Sequence, residues 1–184
     1  MKHVIWKVFY NYEKEEKWLN SMSAKGLSLE DYWWTRYVFR ECDSDKYIYR
    51  IEMLEHRAKH LDSLAYIKFM EENGVEYVAS YMKWVYFRKN ANDGPFDIYS
   101  DLDSKILHYK RIRNWWLFLS IFELLCGLPA FIAGIEESVL SKTLSWDLFI
   151  SFLPFAFGIM FLFGLAAPVN RKLKKLCQDK RLME

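Results

Sequence analysis

With 184 residues and a formal net charge of +2, the chain has room for one ordinary domain and a membrane anchor. Its mean hydropathy of −0.14 averages two unlike halves. Residues 1–104 carry 15 Lys/Arg against 18 Asp/Glu, net −3, and residues 105–184 carry 11 against 6, net +5, a balance that excludes a strongly basic nucleic-acid-binding domain.

The N-terminal stretch MKHVIWKVFYNYEKEEKW has no apolar run of seven or more residues before a small-residue cleavage site, so no signal peptide is expected and the first domain is predicted to stay inside. Val4–Phe9 reads as a strand, and Glu13–Lys25 as a helix with Trp18, Leu19 and Met22 at helical spacing, stopped by Gly26. Two aromatic and β-branched runs follow, 27–33 and 35–40. The same order then returns. Lys46–Leu54 is a strand, Leu61–Asn73 a helix stopped by Gly74, and 75–80 with 84–89 a second strand pair. At an offset of 48, Trp18 meets Tyr66, Leu19 meets Ile67, Met22 meets Met70, Gly26 meets Gly74, Phe39 meets Phe87 and Arg40 meets Arg88. The expected class is α+β: a duplicated β-α-β-β unit over residues 1–89, forming one antiparallel sheet with both helices on one face, ferredoxin-like.

Asn90–Pro95 is a turn cluster, and residues 90–114 read as a linker and a basic juxtamembrane helix beginning after Ser100. Two apolar runs, 115–135 and 148–169, each have about the twenty residues that a helix needs to cross a bilayer. An external loop at 136–147 and a basic tail at 170–184 complete the plan. Lys110, Arg111 and Arg113 before the first span, and Arg171, Lys172, Lys174 and Lys175 after the second, place both termini in the cytoplasm by the positive-inside rule and are candidates for lipid headgroups. The expectation is a multi-pass protein of the inner (cytoplasmic) cell membrane. Cys42, Cys126 and Cys177 stand in separate contexts with no CxxC pair, as suits a reducing compartment.

Four groups of candidate site residues stand out. Glu123 lies eight residues into the first span, about 12 Å deep. A charge there is costly, so it is expected to be neutral and hydrogen-bonded to Ser120, Ser151 or a carbonyl near Pro129, or else to face a partner. Ala130 and Gly134, with Gly158 and Gly164, are thin points for helix packing within the hairpin or in a homodimer. Trp33, Trp34, Tyr37 and Trp84 belong to an aromatic set too large for one small core and are candidates for a binding surface; adjacent Trp33 and Trp34 cannot both point inward. His56 and His60, with Glu52 or Asp62, have a spacing compatible with metal, but Arg57 and Lys59 crowd them and a solvated helix start is the expected reading, with no metal and no cofactor.

The segments EEKWLNSMSAKGLSL, KYIYRIEML and FMEENGVEYVASYMKWVYFRK, in that order over roughly residues 5–104, resemble the bacterial family of domain of unknown function 2812. The resemblance implies C-terminal membrane spans and genes placed near PadR-like repressors, and it carries over no catalytic residue. The sequence contains no G-x-S-x-G, no glycine-rich phosphate loop and no Cys-His pairing pattern. The expected role is therefore a non-enzymatic, membrane-anchored cytoplasmic binding or regulatory module, with a protein partner or a second copy and no nucleic acid. The alternative is an accessory subunit of a transporter, or a small ion-coupled carrier, working through Glu123.

Overall fold

The computed structural model describes residues 1–99, 101–143 and 146–183, without the side chains of 147 and 183. Two compact units divide at Asp101 and Leu102. The first contains β1 (Lys2–Trp6), α1 (Tyr12–Ser23), β2 (Leu27–Trp33), β3 (Arg36–Glu41), β4 (Tyr47–Met53), α2 (Leu61–Glu72), β5 (Glu76–Tyr81) and β6 (Trp84–Asn90). The second contains α3 (Leu102–Ser141), α4 (Trp146–Ile159), a π-helical segment (Met160–Ala166) and α5 (Ala167–Met183).

The α+β class is as expected, but the layering differs. The strands form two three-stranded antiparallel sheets, ordered β1-β3-β2 and β4-β6-β5, in place of one sheet of six. The first core gathers Leu19 and Met22 of α1, Leu29, Tyr37 and Phe39 of the first sheet, and Tyr49, Ile51 and Tyr86 of the second. The second core lies on the other face of the second sheet, where Val85 and Phe87 meet Ile67 and Met70 of α2. Adjacent residues of a strand point to opposite faces. Because β6 is apolar at both Tyr86 and Phe87, the second sheet becomes a central layer and the two helices join different cores. Phe96 also enters the second core, so part of the expected linker is folded onto the domain.

Within the first unit, the segments β1–β3 and β4–β6 share landmarks 48 residues apart. Gly26 and Gly74 end their helices at φ 76° and 78°. Bulges lie between Leu29 and Asp31 and between Tyr77 and Ala79. Trp34 and Met82 occupy the left-handed region at the two hairpin turns, with φ 55° and 54°.

Helix α1 begins at Asn11, whose side chain accepts from the amides of Glu13 and Lys14 at 2.9 and 3.2 Å. One flank of the helix serves the edge of β4. Ser23 Oγ accepts from Tyr47 N and donates to Tyr47 O; Asn20 accepts from Tyr49 N at 2.8 Å and donates to Tyr49 O at 3.1 Å; Glu16 Oε2 accepts from Ile51 N at 3.1 Å. These side chains do for β4 what a neighbouring strand would do, and they close an edge open to mispairing. At the bulge in β2, Leu29 N donates to Tyr49 Oη at 2.8 Å and Leu29 O accepts from Arg88 Nη1 at 3.1 Å, so side chains of the second sheet satisfy the backbone of the first.

In the second unit, α3 and α4 pack antiparallel. Ser120 Oγ donates to Gly158 O at 2.7 Å, Phe131 meets Phe152 and Phe155, Trp116 meets Phe161, and Lys180 pairs with Asp103 at 2.8 Å. Helix α3 runs from the basic segment through the expected span to Ser141, which shortens the loop expected at 136–147; residues 144 and 145 of that loop, together with Ser100 and Glu184, lie outside the described residues. Both Leu102–Ser141 and Leu148–Leu182 are long and apolar enough to cross a membrane, and little of either apolar stretch is buried within the chain. The expected tail is helical as well, with Leu173 buried and Arg171, Lys172, Lys174 and Lys175 exposed around it.

Glycine 26 has two reasons to be glycine and Gly74 has one. A Cβ on Gly26 would lie 2.8 Å from Cys42 O, whereas one on Gly74 meets nothing within 4 Å. Gly74→Ala is therefore expected to cost about 1 kcal/mol, from the left-handed backbone alone, and Gly26→Ala at least about twice that. Chemical denaturation of the full chain in detergent, followed by circular dichroism, measures the difference.

Candidate functional site

On its outer face the first sheet exposes Lys2, Val4 and Arg40 and half-exposes Arg36, with Val38 and Ser28 buried among them. These residues and Glu30 line an open groove of about 650 Å³ that Tyr47, Tyr77, Val78 and Arg88 of the second sheet also line. The pattern follows from β3, in which Arg36, Val38 and Arg40 alternate with Tyr37 and Phe39 of the first core. Charges across the groove are matched: Lys2 and Arg40 both pair with Glu30, and Arg36 lies 3.9 Å from Asp31. Arg88 is held by Glu76 at 2.7 Å and lies over the Tyr47 ring at 4.2 Å, which makes it a strut between the sheets. The face is polar and rich in guanidinium groups, suited to carboxylates or phosphates.

Beneath the inner face lies a buried acid that sequence reasoning missed. Glu15, on the first turn of α1, is 7% exposed, and its Oε1 accepts from Tyr37 Oη and Tyr86 Oη, each at 2.7 Å. The Tyr32 ring packs against both phenols, with centroids at 4.7 and 4.5 Å. Burial pushes the Glu15 carboxyl above its ordinary range, and the two hydroxyls pull it part of the way back. Burial, and then the charge of Glu15, push both phenols up as well. In sequence, Glu15 sits within EKEEK and reads as one more solvated charge.

The aromatic candidates separate into three kinds. Trp33 and Trp34 are both exposed, at 59% and 57%, with their rings 6.2 Å apart, so neither points inward. Trp84 is half-buried against Tyr12. Tyr37 is corrected from surface candidate to core, being 1% exposed on the inner face of β3 with Glu15 to bind its hydroxyl.

His56, His60 and Asp62 do come together, with possible ligand atoms within 4.8 Å of one another. The His60 Nδ1 accepts from Asp62 N at 3.3 Å, which makes it the N-cap of α2, and all three side chains are exposed. That geometry is the solvated helix start expected from the sequence.

In the hairpin, Gly134 and Gly158 lie at the seam between helices, whereas Ala130 and Gly164 face outward. Ser120, Gly127 and Gly134 are buried at seven-residue intervals, the seam that the sequence reading missed; a Cβ on Gly127 would meet Pro154 at 2.9 Å. Glu123 is half-exposed. The two hydroxyls expected to serve it donate elsewhere, Ser120 to Gly158 O and Ser151 to Leu148 O. Lys110 is exposed, and Arg111 and Arg113 are half-exposed.

The family described as Protein of unknown function (DUF2812) matches residues 11–121, more than half of the chain, from the cap of α1 into α3. The chain belongs to that family. No curated protein and no solved structure matches it. The match takes in both cores of this DUF2812 chain, the guanidinium-rich face of β3 and the Glu15 cluster.

A carboxyl whose native pKa is raised binds its proton more tightly folded than unfolded, so its contribution favours the folded state most below the ordinary carboxylate range and is lost as pH rises through the native pKa. Glu15→Gln keeps a carbonyl acceptor for the two phenols and removes the ionisation. The variant is expected to melt at a higher temperature than the parent at pH 7–8, and the difference should shrink as pH falls towards 4. Thermal denaturation across that range measures both.

Proposed function

We propose that this chain is a membrane-anchored binding module whose cytoplasmic α+β unit receives an acidic segment of a partner protein on the open face of the first sheet. The observation that carries the reading is the uneven covering of the sheets. The inner face of the first sheet and both faces of the second are packed, and the remaining face presents Lys2, Arg36 and Arg40 around a 650 Å³ groove. A partner carboxylate can exchange with Glu30 for Arg40 and Lys2, and with Asp31 for Arg36, which favours specificity and rate of encounter over raw affinity. The role proposed is binding, not catalysis. The shared landmarks at 48 residues support reading the segments β1–β3 and β4–β6 as copies of one ancestral β-α-β-β element.

The net charge of +5 in residues 105–184, concentrated beside the two apolar helices, supports both termini in the cytoplasm and a place in the inner membrane, with the basic side chains at the anionic headgroups. In-cell crosslinking from a photoreactive residue at Val4, on the groove wall, tests the binding role. The expected result is a discrete protein adduct that falls several-fold when Arg36→Glu and Arg40→Glu are introduced. No adduct, or one indifferent to the charge reversal, would count against it.

A second reading rests on Glu123, half-exposed in the first apolar helix while neighbouring hydroxyls are engaged elsewhere. An intramembrane carboxyl of that kind suits an accessory subunit of a transporter or a small ion-coupled carrier. Glu123→Gln separates the two: the carrier reading expects the cellular phenotype to vanish with Glu123→Gln, and the binding reading expects it to persist and to vanish with the Arg36 and Arg40 reversals.

A further inference from the structure

One end of the first unit collects large apolar side chains that no described residue of that unit covers. Trp6, Trp33, Trp34 and Met82 are 64%, 59%, 57% and 56% exposed. The strand register explains how they meet. Trp6 on β1 and Trp33 on β2 both stand directly opposite Arg36 on β3, which puts the two indoles in one cross-strand row at the end of the sheet where the β2–β3 hairpin turns. The ring of Trp33 lies 6.4 Å from that of Tyr81, the residue before Met82, so the β5–β6 turn is at the same end.

The turns themselves are unusual. At both apices a bulky residue, Trp34 or Met82, takes a left-handed backbone that glycine, asparagine or aspartate adopts at less cost. For an ordinary side chain that conformation costs roughly 1–2 kcal/mol. The side chains then project into water, where they recover little by packing. Both turns thus carry an apolar residue that local stability does not favour, which points to a use outside the unit.

We propose that the two hairpin tips and Trp6 form a wedge that enters the headgroup layer of the bilayer. Indole suits this position, because its ring is apolar and its N–H can still reach water or a phosphate oxygen. Lys7 and Lys83 flank the tips, Lys7 over the Phe9 and Trp18 rings and Lys83 donating to Glu55 O; the acids beside them are Asp31, paired with Arg36, and exposed Glu55. Lipid is chosen over another protein because the chain itself carries two helices able to cross a membrane, which keeps a bilayer at high effective concentration beside the unit. The inference rests on the membrane reading made above. It adds that the water-exposed unit lies against the surface instead of swinging free.

The test uses the full chain with Cys42, Cys126 and Cys177 replaced by serine, reconstituted in nanodiscs of phosphatidylcholine and phosphatidylglycerol. An environment-sensitive fluorophore is attached at Trp34→Cys, Met82→Cys, Asp43→Cys or Phe118→Cys, one at a time, with circular dichroism as the check on folding. Asp43 is exposed outside both tips, and Phe118 is exposed on α3. The expected result is that a nitroxide placed near the headgroup end of the acyl chain quenches the Trp34 and Met82 labels at least several-fold more than the Asp43 label, and that it also quenches the Phe118 label, about 4.5 Å into the first span. If Phe118 is quenched and either tip label stays at the Asp43 level, the wedge is overturned and membrane crossing stands. If Phe118 is not quenched, the membrane reading itself fails and takes the wedge with it. Quenching at the tips that survives Trp6→Ser and Trp33→Ser together also overturns the proposal, since the row of indoles would then contribute nothing.

Discussion

The fold of the first unit turns on a helix taking the place of a strand. Strand β4 has β6 on one side and the flank of α1 on the other, where Ser23, Asn20 and Glu16 meet the backbone of alternate residues Tyr47, Tyr49 and Ile51. Residues two apart on a strand are about 6.8 Å apart, whereas the helix steps from Glu16 to Asn20 and from Asn20 to Ser23 rise about 6 and 4.5 Å, so the rows drift by roughly 3 Å over three contacts, and the shortening side chains, Glu then Asn then Ser, follow the drift. Each backbone group left unpaired there would cost on the order of 1–3 kcal/mol. Because α1 belongs to the first β-α-β-β unit and β4 to the second, this row also welds the units together, and the first core forms between them.

The individual elements were legible in the sequence and their layering was not. Helical spacing located α1 and α2 to within a residue or two, and the two glycines marked their ends, because a left-handed C′ position has a strong chemical signature. The single six-stranded sheet failed for a reason visible only in the packing. Tyr86 and Phe87 are both core residues, as are Tyr49 and Ile51 beside half-buried Ile48, so the second sheet is apolar on both faces and cannot be an outer layer. Glu16, Asn20 and Ser23 read as solvated residues of an amphipathic helix, since nothing local distinguishes a polar side chain facing water from one facing an unpaired strand.

Site residues followed the same division. Exposure of the tryptophan pair came from a steric argument about adjacent residues, and the structure agrees while exposing both. Tyr37 went the other way because a buried carboxyl awaited its hydroxyl, and that carboxyl was hidden in a run of like charges. In the hairpin, Gly134 and Gly158 could be found as small residues, but Ala130 and Gly164 show that size alone does not give the face. The seven-residue interval of Ser120, Gly127 and Gly134 does, because it keeps one stripe against the neighbour.

The π-helical segment Met160–Ala166 ends just before Pro168, whose ring would crowd the carbonyl four residues back, at Gly164, in a regular helix. A π turn holds a residue more than an α turn and leaves the helix on either side in phase. Single-residue differences in chain length between relatives can therefore be absorbed at this point without rotating the lysines and Leu173 of α5 away from their present sides. The second apolar helix has an elastic length while its ends keep a fixed orientation.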